Sequence, residues 1–291
     1  MTHQKIHFDS LDALCAAAIS PSTWGGRRDS VIGDFAFTGT RSMDEAQSFA
    51  RHGWPQGLSK MTLALDHISA SAGAVLSAPA YSLDVAGAFP CVPAACAGDP
   101  MNMFNPAPVS ERARPVLRIA TSTALPGNYT PEEVFNYGAG LVAIIDALEQ
   151  SGLSVELMTC RANRSTNGCP DTLTITVKIK GAGEALDKER LAFCLGSASY
   201  NRRLHFGAVE ALATRKPWVD SFGTGRIPEQ GKDVDSDVTV LPGPTMFGSG
   251  SPQLRTPAAA FKAMLPQVMK LLQDRHAGLP PFLIEHTDKA A

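Results

Sequence analysis

The sequence predicts an α/β fold: a three-layer domain with a mainly parallel sheet, preceded by an α-helical and irregular N-terminal region. Three observations carry that prediction. From residue 115 onward, short apolar or β-branched runs alternate with segments of helical period, the pattern of strand–helix–strand units. The main helical segment there has an explicit start at Thr130-Pro131-Glu132-Glu133 and an explicit stop at Gly152. Before residue 110 that alternation is missing, and Pro, Gly and small side chains dominate. These shifts divide the chain into residues 1–110, an α/β domain over 111–276 and a C-terminal tail, 277–291.

The elements follow in order. Leu11, Leu14, Cys15 and Ile19 recur at helical spacing and end before Pro21. Residues 21–40 read as a loop holding Trp24, paired glycines and paired arginines, then a short strand around Phe35 and Phe37. Ser42-Met43-Asp44-Glu45 reads as a capping box, and the helix it opens stops at Gly53 with Pro55 just beyond. Residues 61–110 read as irregular structure wrapped on a core, or as a subunit-contact arm, with Met101, Met103 and Phe104 as packing residues. The Asp66-His67 pair there reads as a hydrogen-bonded, partly buried histidine. Residues 115–124 form a buried strand, and Val134, Leu141, Ile145 and Leu148 give the next helix its apolar face. LSVELMTCRA and DTLTITVKIK are strands, residues 186–195 and 202–213 are helices, DVTVLPG is a strand, and a last helix is kinked at Pro266.

Composition narrows the function classes. The chain has 291 residues, 44% hydrophobic and 19% charged, with a net charge of −2, which suits a globular protein and excludes coiled-coil, collagen-like and fully disordered chains. No run approaches the roughly 18 apolar residues of a membrane helix. The N-terminus lacks the basic-then-apolar pattern of a signal peptide, so a cytoplasmic location is expected. Cys15, Cys91, Cys96, Cys160, Cys169 and Cys194 include no Cys-x-x-Cys pair and read as small core residues; no structural metal and no cofactor is expected.

The strand–loop–helix at 116–135 is where a doubly wound domain places a ligand, yet its loop carries neither Gly-x-Gly-x-x-Gly nor a Walker lysine. Gly225 to Gly231-Lys232 has one residue too many for a Walker loop and Asp233 where Ser or Thr should stand, so it reads as a surface turn. The unit resembles a degenerate von Willebrand factor A-like domain. Ala120, Ser122 and Ala124 stand in the stretch where that family has its Asp-x-Ser-x-Ser ion site, so the resemblance implies a lost metal site. No nucleophile elbow or His-Glu-x-x-His is present, and no catalytic role is expected.

Charge is the most informative functional feature. Residues 161–217 hold ten basic and five acidic side chains, a net +5 in a chain of −2 overall. Aromatic rings are threaded through this stretch and through the Trp24 loop, and Arg112, Arg114 and Arg118 add further positive charge. Cations that track a backbone, interleaved with rings that stack on unpaired bases, are what single-stranded nucleic acid requires. The expected DNA-binding residues are Arg27, Arg28, Arg161, Arg164, Arg202, Arg203 and Lys216 on phosphates, with Trp24, Tyr200 and Trp218 stacking.

The strings WGG, FAFTGTRSMDEAQSFARHGWPQG, AGDPMNMF and EEVFNYGAGLVAIIDALEQSGLSVELM, over roughly residues 20–160, together resemble tailed-bacteriophage proteins. Size and texture are similar to the single-stranded DNA-binding RNA polymerase cofactors of podoviruses that carry a virion RNA polymerase. That resemblance implies single-stranded DNA as ligand, a phage-encoded RNA polymerase as partner, the host cytoplasm as location, and a fold unlike the OB-fold. A closed homo-oligomer is also expected, with self-association through AGDPMNMF or the tail. The rival expectation is a phage structural or adaptor protein that binds a protein through residues 80–110 and has no DNA affinity.

Overall fold

A computed structural model describes residues 3–18, 35–72, 81–87, 89–106, 115–164, 172–212 and 225–273. Along the chain run β1 (His3–Phe8), α1 (Leu11–Ala17), α2 (Phe35–Thr38), α3 (Met43–His52), α4 (Pro55–Ala72), β2 (Tyr81–Asp84), β3 (Phe89–Pro90), α5 (Val92–Cys96) and β4 (Met103–Pro106). They continue with β5 (Val116–Ser122), α6 (Pro131–Gln150), β6 (Ser154–Arg164), β7 (Thr172–Lys180), α7 (Lys188–Gly196), a π-helical stretch Tyr200–His205, α8 (Phe206–Leu212), β8 (Thr239–Leu241) and α9 (Pro257–Gln273). Five strands form one sheet in the order β1-β7-β6-β5-β8. The β1–β7, β6–β5 and β5–β8 pairings are parallel and β6–β7 is antiparallel. The α/β class and the mainly parallel sheet follow the alternation visible in the sequence.

Strand alternation gives the sheet two different faces. Leu117 and Ile119, Val155 and Leu157, and Leu173, Ile175 and Val177 face the helices and join one large core. Ala120, Met158 and Cys160 point the other way and pack on Val234 and Val238, so an irregular segment covers that face. The three layers are therefore helices, sheet and a non-helical cover. The main core also takes in Phe8, Leu14, Met61 and Ile68, and β1 pairs with β7 from His3 opposite Thr172 to Phe8 opposite Val177. The boundary drawn near residue 110 thus crosses a single core.

Helix α6 starts as its sequence specifies. The Thr130 hydroxyl accepts from the Glu133 amide at 3.2 Å, and the Glu133 carboxylate accepts from the Thr130 amide at 2.8 Å. Ser42 caps α3 in the same way, but the Glu45 carboxylate reaches the Arg41 amide, one residue before the cap. Gly53, with φ 93°, closes α3 in a conformation that side chains disfavour.

Several expectations are corrected. Phe35 and Phe37 lie in helix α2, not a strand, because a run of four residues is too short for its alternation to decide. Residues 61–72 continue helix α4: Met61, Ala64, Leu65 and Ile68 are buried at i, i+3, i+4 and i+7, a helical stripe that the small residues around it disguise. Asp66 and His67 fall on the exposed side of that helix. The 81–106 stretch forms its own small sheet, β2-β4-β3, with α5 beside it, and Cys91 and Cys96 lie there outside the core while Cys15, Cys160 and Cys194 are buried.

Two substitutions test this packing. A Cβ at Gly138 would stand 2.6 Å from the Leu195 carbonyl. Gly138→Ala should therefore lower the denaturant midpoint, overpacking costing about 1–3 kcal/mol against the roughly 1 kcal/mol that Ala gains in helix propensity. Thr130→Ala should cost about 1 kcal/mol by the same measurement.

Candidate nucleic-acid interface

The carboxyl ends of β5 and β6 and the first turns after α7 bring several expected residues together. Arg161 projects from β6, and Tyr200, Arg202 and Arg203 lie on the π-helical stretch. All four are buried, at 0%, 1%, 5% and 8% exposure. The sequence reading placed them on an open, phosphate-tracking groove; instead they fill the interior beside the sheet. A charge count along a chain does not see burial, and the guanidinium groups here are accommodated by rings and carbonyls. Arg164 ends β6, while Trp24, Arg27, Arg28, Lys216 and Trp218 lie outside the described residues.

The cluster is organised around Phe206. The guanidinium carbons of Arg161 and Arg202 lie 4.6 and 5.3 Å from its ring centroid, and Arg202 is also 5.5 Å from the Phe37 ring. Arg202 donates to the Leu125 carbonyl at 3.0 Å, in the loop that leads into α6. Arg203 donates to the hydroxyl and carbonyl oxygens of Thr40, both at 2.7 Å. The Arg161 guanidinium donates to the Asn201 side-chain oxygen. The Tyr200 hydroxyl meets Thr159 at 2.8 Å, and its ring packs edge-on against His205 and Phe193.

Burial sets the electrostatics. It lowers the Arg161 pKa to about 9, with the neighbouring Arg202 charge adding to the effect, and it lowers Arg202 and Arg203 as well. His205 is pushed down to about 3 by burial and by Arg161, so it stays neutral. Several buried polar atoms at this place have no hydrogen-bond partner: both side-chain amide atoms of Asn163, Nδ2 of Asn201 and Nε of Arg202. These donors, with charge concentrated on guanidinium groups, have the chemistry to meet an anion. Among the described residues no group of three or more His, Cys, Asp or Glu could hold a metal ion. Ser122 is buried, and its hydroxyl accepts from the Ala124 amide.

Other basic residues of the sequence count are occupied. Arg118 meets Glu156 at 2.8 Å and Asp237 at 2.9 Å, and these hydrogen bonds raise its pKa. Lys180 is buried against Glu149. Beside Phe37 opens a cleft of about 520 Å³ between α2, α4 and the start of α6, lined by Phe35, Phe37, Trp54, Phe135, Lys60 and Arg255 among others. Sequence reasoning missed it, because Phe35 reads as part of a strand and Trp54 carries no signal of its own between the stop at Gly53 and Pro55.

The buried histidine makes a pH prediction. Its folded pKa lies below its unfolded value, so the unfolded chain binds the proton first, and stability falls as pH drops below about 6.5. The loss from this group should approach about 1.4 kcal/mol per pH unit until about pH 3, measured by denaturant unfolding. His205→Gln should flatten that slope between pH 6 and 4, where about two units of the window lie.

No curated protein and no solved structure matches the chain. A family model for a domain of unknown function, DUF7192, matches residues 1–268, across both the N-terminal helices and the sheet. The chain belongs to the DUF7192 family.

Proposed function

We propose that this is a non-enzymatic, phage-encoded protein that binds single-stranded DNA in the host cytoplasm and serves as a cofactor for a phage RNA polymerase. The observation that supports DNA binding best is Arg202. Its guanidinium is buried between two phenylalanine rings, holds one backbone carbonyl, leaves Nε unpartnered and has no carboxylate partner among the described residues. A guanidinium with no carboxylate partner keeps donor capacity that an anion can use, and a phosphodiester is one such anion. The acidic net charge disfavours indiscriminate duplex binding, whose strength scales with phosphates neutralised.

The specific observation that favours an adaptor role is the small sheet. Val85, Val92, Met101 and Phe89 are 69%, 64%, 49% and 44% exposed there, a concentration of large apolar side chains suited to a protein contact.

Fluorescence anisotropy with labelled single- and double-stranded oligonucleotides, titrated at several salt concentrations, separates the two. DNA binding requires a preference for the single strand and a logarithmic salt slope of about −0.7 per phosphate. Arg202→Met, which keeps the apolar stem, should weaken binding about tenfold or more. No binding to either oligonucleotide at low salt would sink the DNA reading. A partner in pull-down that disappears on deletion of residues 85–106 would then support the adaptor.

A further inference from the structure

We infer that the cleft between α2, α4 and the start of α6 seats unpaired nucleobases, with the strand's phosphates running along Lys60, Arg255 and Arg41; this rests on the single-stranded DNA reading above. The first ground is the state of its rings. Phe35 is 51% exposed, an unusual state for a phenylalanine. Trp54 is half-buried and braced from inside by Phe49 and Phe193, at 6.3 and 6.5 Å between centroids, so its indole is held rigidly at the cleft wall. Phe37 and Phe135 complete an aromatic lining. Pre-positioned rings on a concave surface are stacking platforms, and they suit any base because every base offers a π-face.

The second ground is free charge. Lys60 and Arg255 line the cleft and are exposed, and Arg41 lies 5.5 Å over the Phe35 ring. None of these three forms a salt bridge among the described residues, in contrast to Arg118 and Lys180. Among the described residues Glu132 is the one acidic side chain in the lining, and Glu45 holds the backbone amide of Arg41. The balance at this mouth is therefore positive although the chain as a whole is not. An apolar peptide would satisfy the rings and leave the cations idle, whereas a nucleotide chain uses both.

The third ground is placement. Phe37 lines the cleft, and its ring lies 5.5 Å from the Arg202 guanidinium carbon, so the cleft and the buried guanidinium share one ring. The cleft's volume, about 520 Å³, falls within the range of sites that enclose small organic ligands. Paired bases, whose faces are already stacked, have no access to such a lining.

The test uses the full chain and a fluorescein-labelled oligothymidylate followed by anisotropy. Phe35→Ala should weaken binding about tenfold, the loss of one stacked base, and Phe35→Trp should restore it. Lys60→Gln together with Arg255→Gln should reduce the logarithmic salt slope by about 1.4. All three positions are exposed, so an unchanged thermal midpoint should accompany each variant. Wild-type binding with unchanged affinity and slope in the variants would overturn the cleft and leave the single-stranded DNA reading standing. A wild-type chain that ignores the oligonucleotide at low salt would overturn both, and a peptide would become the cleft's ligand.

Discussion

Helix α6 is buried on every side along its middle turns, and the rest of the structure is arranged to cover it. Val134, Tyr137, Leu141, Ile144, Ile145 and Leu148 form one broad apolar face, and Asn136, Ala139, Gly140 and Ala143 on the opposite side are buried as well. A helix of that kind cannot lie on a surface. The sheet covers one side, and α9, α7 and α4 enclose the others. Gly138 and Gly140 let two of those neighbours come close, since Cβ atoms at those places would meet the backbones of α7 and α9. The demand for cover explains why α4, from the N-terminal part of the chain, shares the core instead of forming a separate module.

Enclosing α6 also determines what surrounds its start. The capping box fixes the entry of the chain from the β5 loop, and the Leu125 carbonyl in that loop meets Arg202. The elements packed on α6 then bring α2 and α4 to the same end, where Phe35, Trp54 and Lys60 face Pro131 and Glu132. Both the buried guanidinium cluster and the open cleft are products of how one helix is covered. The cluster carries its positive charge at the expense of solvation, while the cleft leaves its cations in water.

Where a local signal dominates, the sequence is legible. The Thr130 box, the alternation of β7 and the apolar period of α6 reappear because caps and periodicities act within a few residues. The cleft was not legible, since its lining comes from five segments that only tertiary packing unites. The arginines were visible as charge but not as interior groups: nothing in the pair Arg202-Arg203 shows that both side chains turn inward, one toward Phe206 and the other toward Thr40. Helix α4 lay between these cases. Its buried stripe was present in the sequence, yet the abundance of Ala and Ser around it resembled loop composition.

The edge position of β1 has a temporal consequence. Its partner β7 begins at Thr172, so β1 has no place in the sheet until the chain as far as β7 has been made. Contacts of such long sequence separation form late and slowly, because the intervening chain must be ordered first. During that interval β1 is an unpaired strand and the exposed side of β7 an open sheet edge, the two features that invite pairing with another chain. Docking of β1 thus waits for β7, and the polar His3, Gln4, Lys5 and His7 at that edge keep the waiting strand in solution.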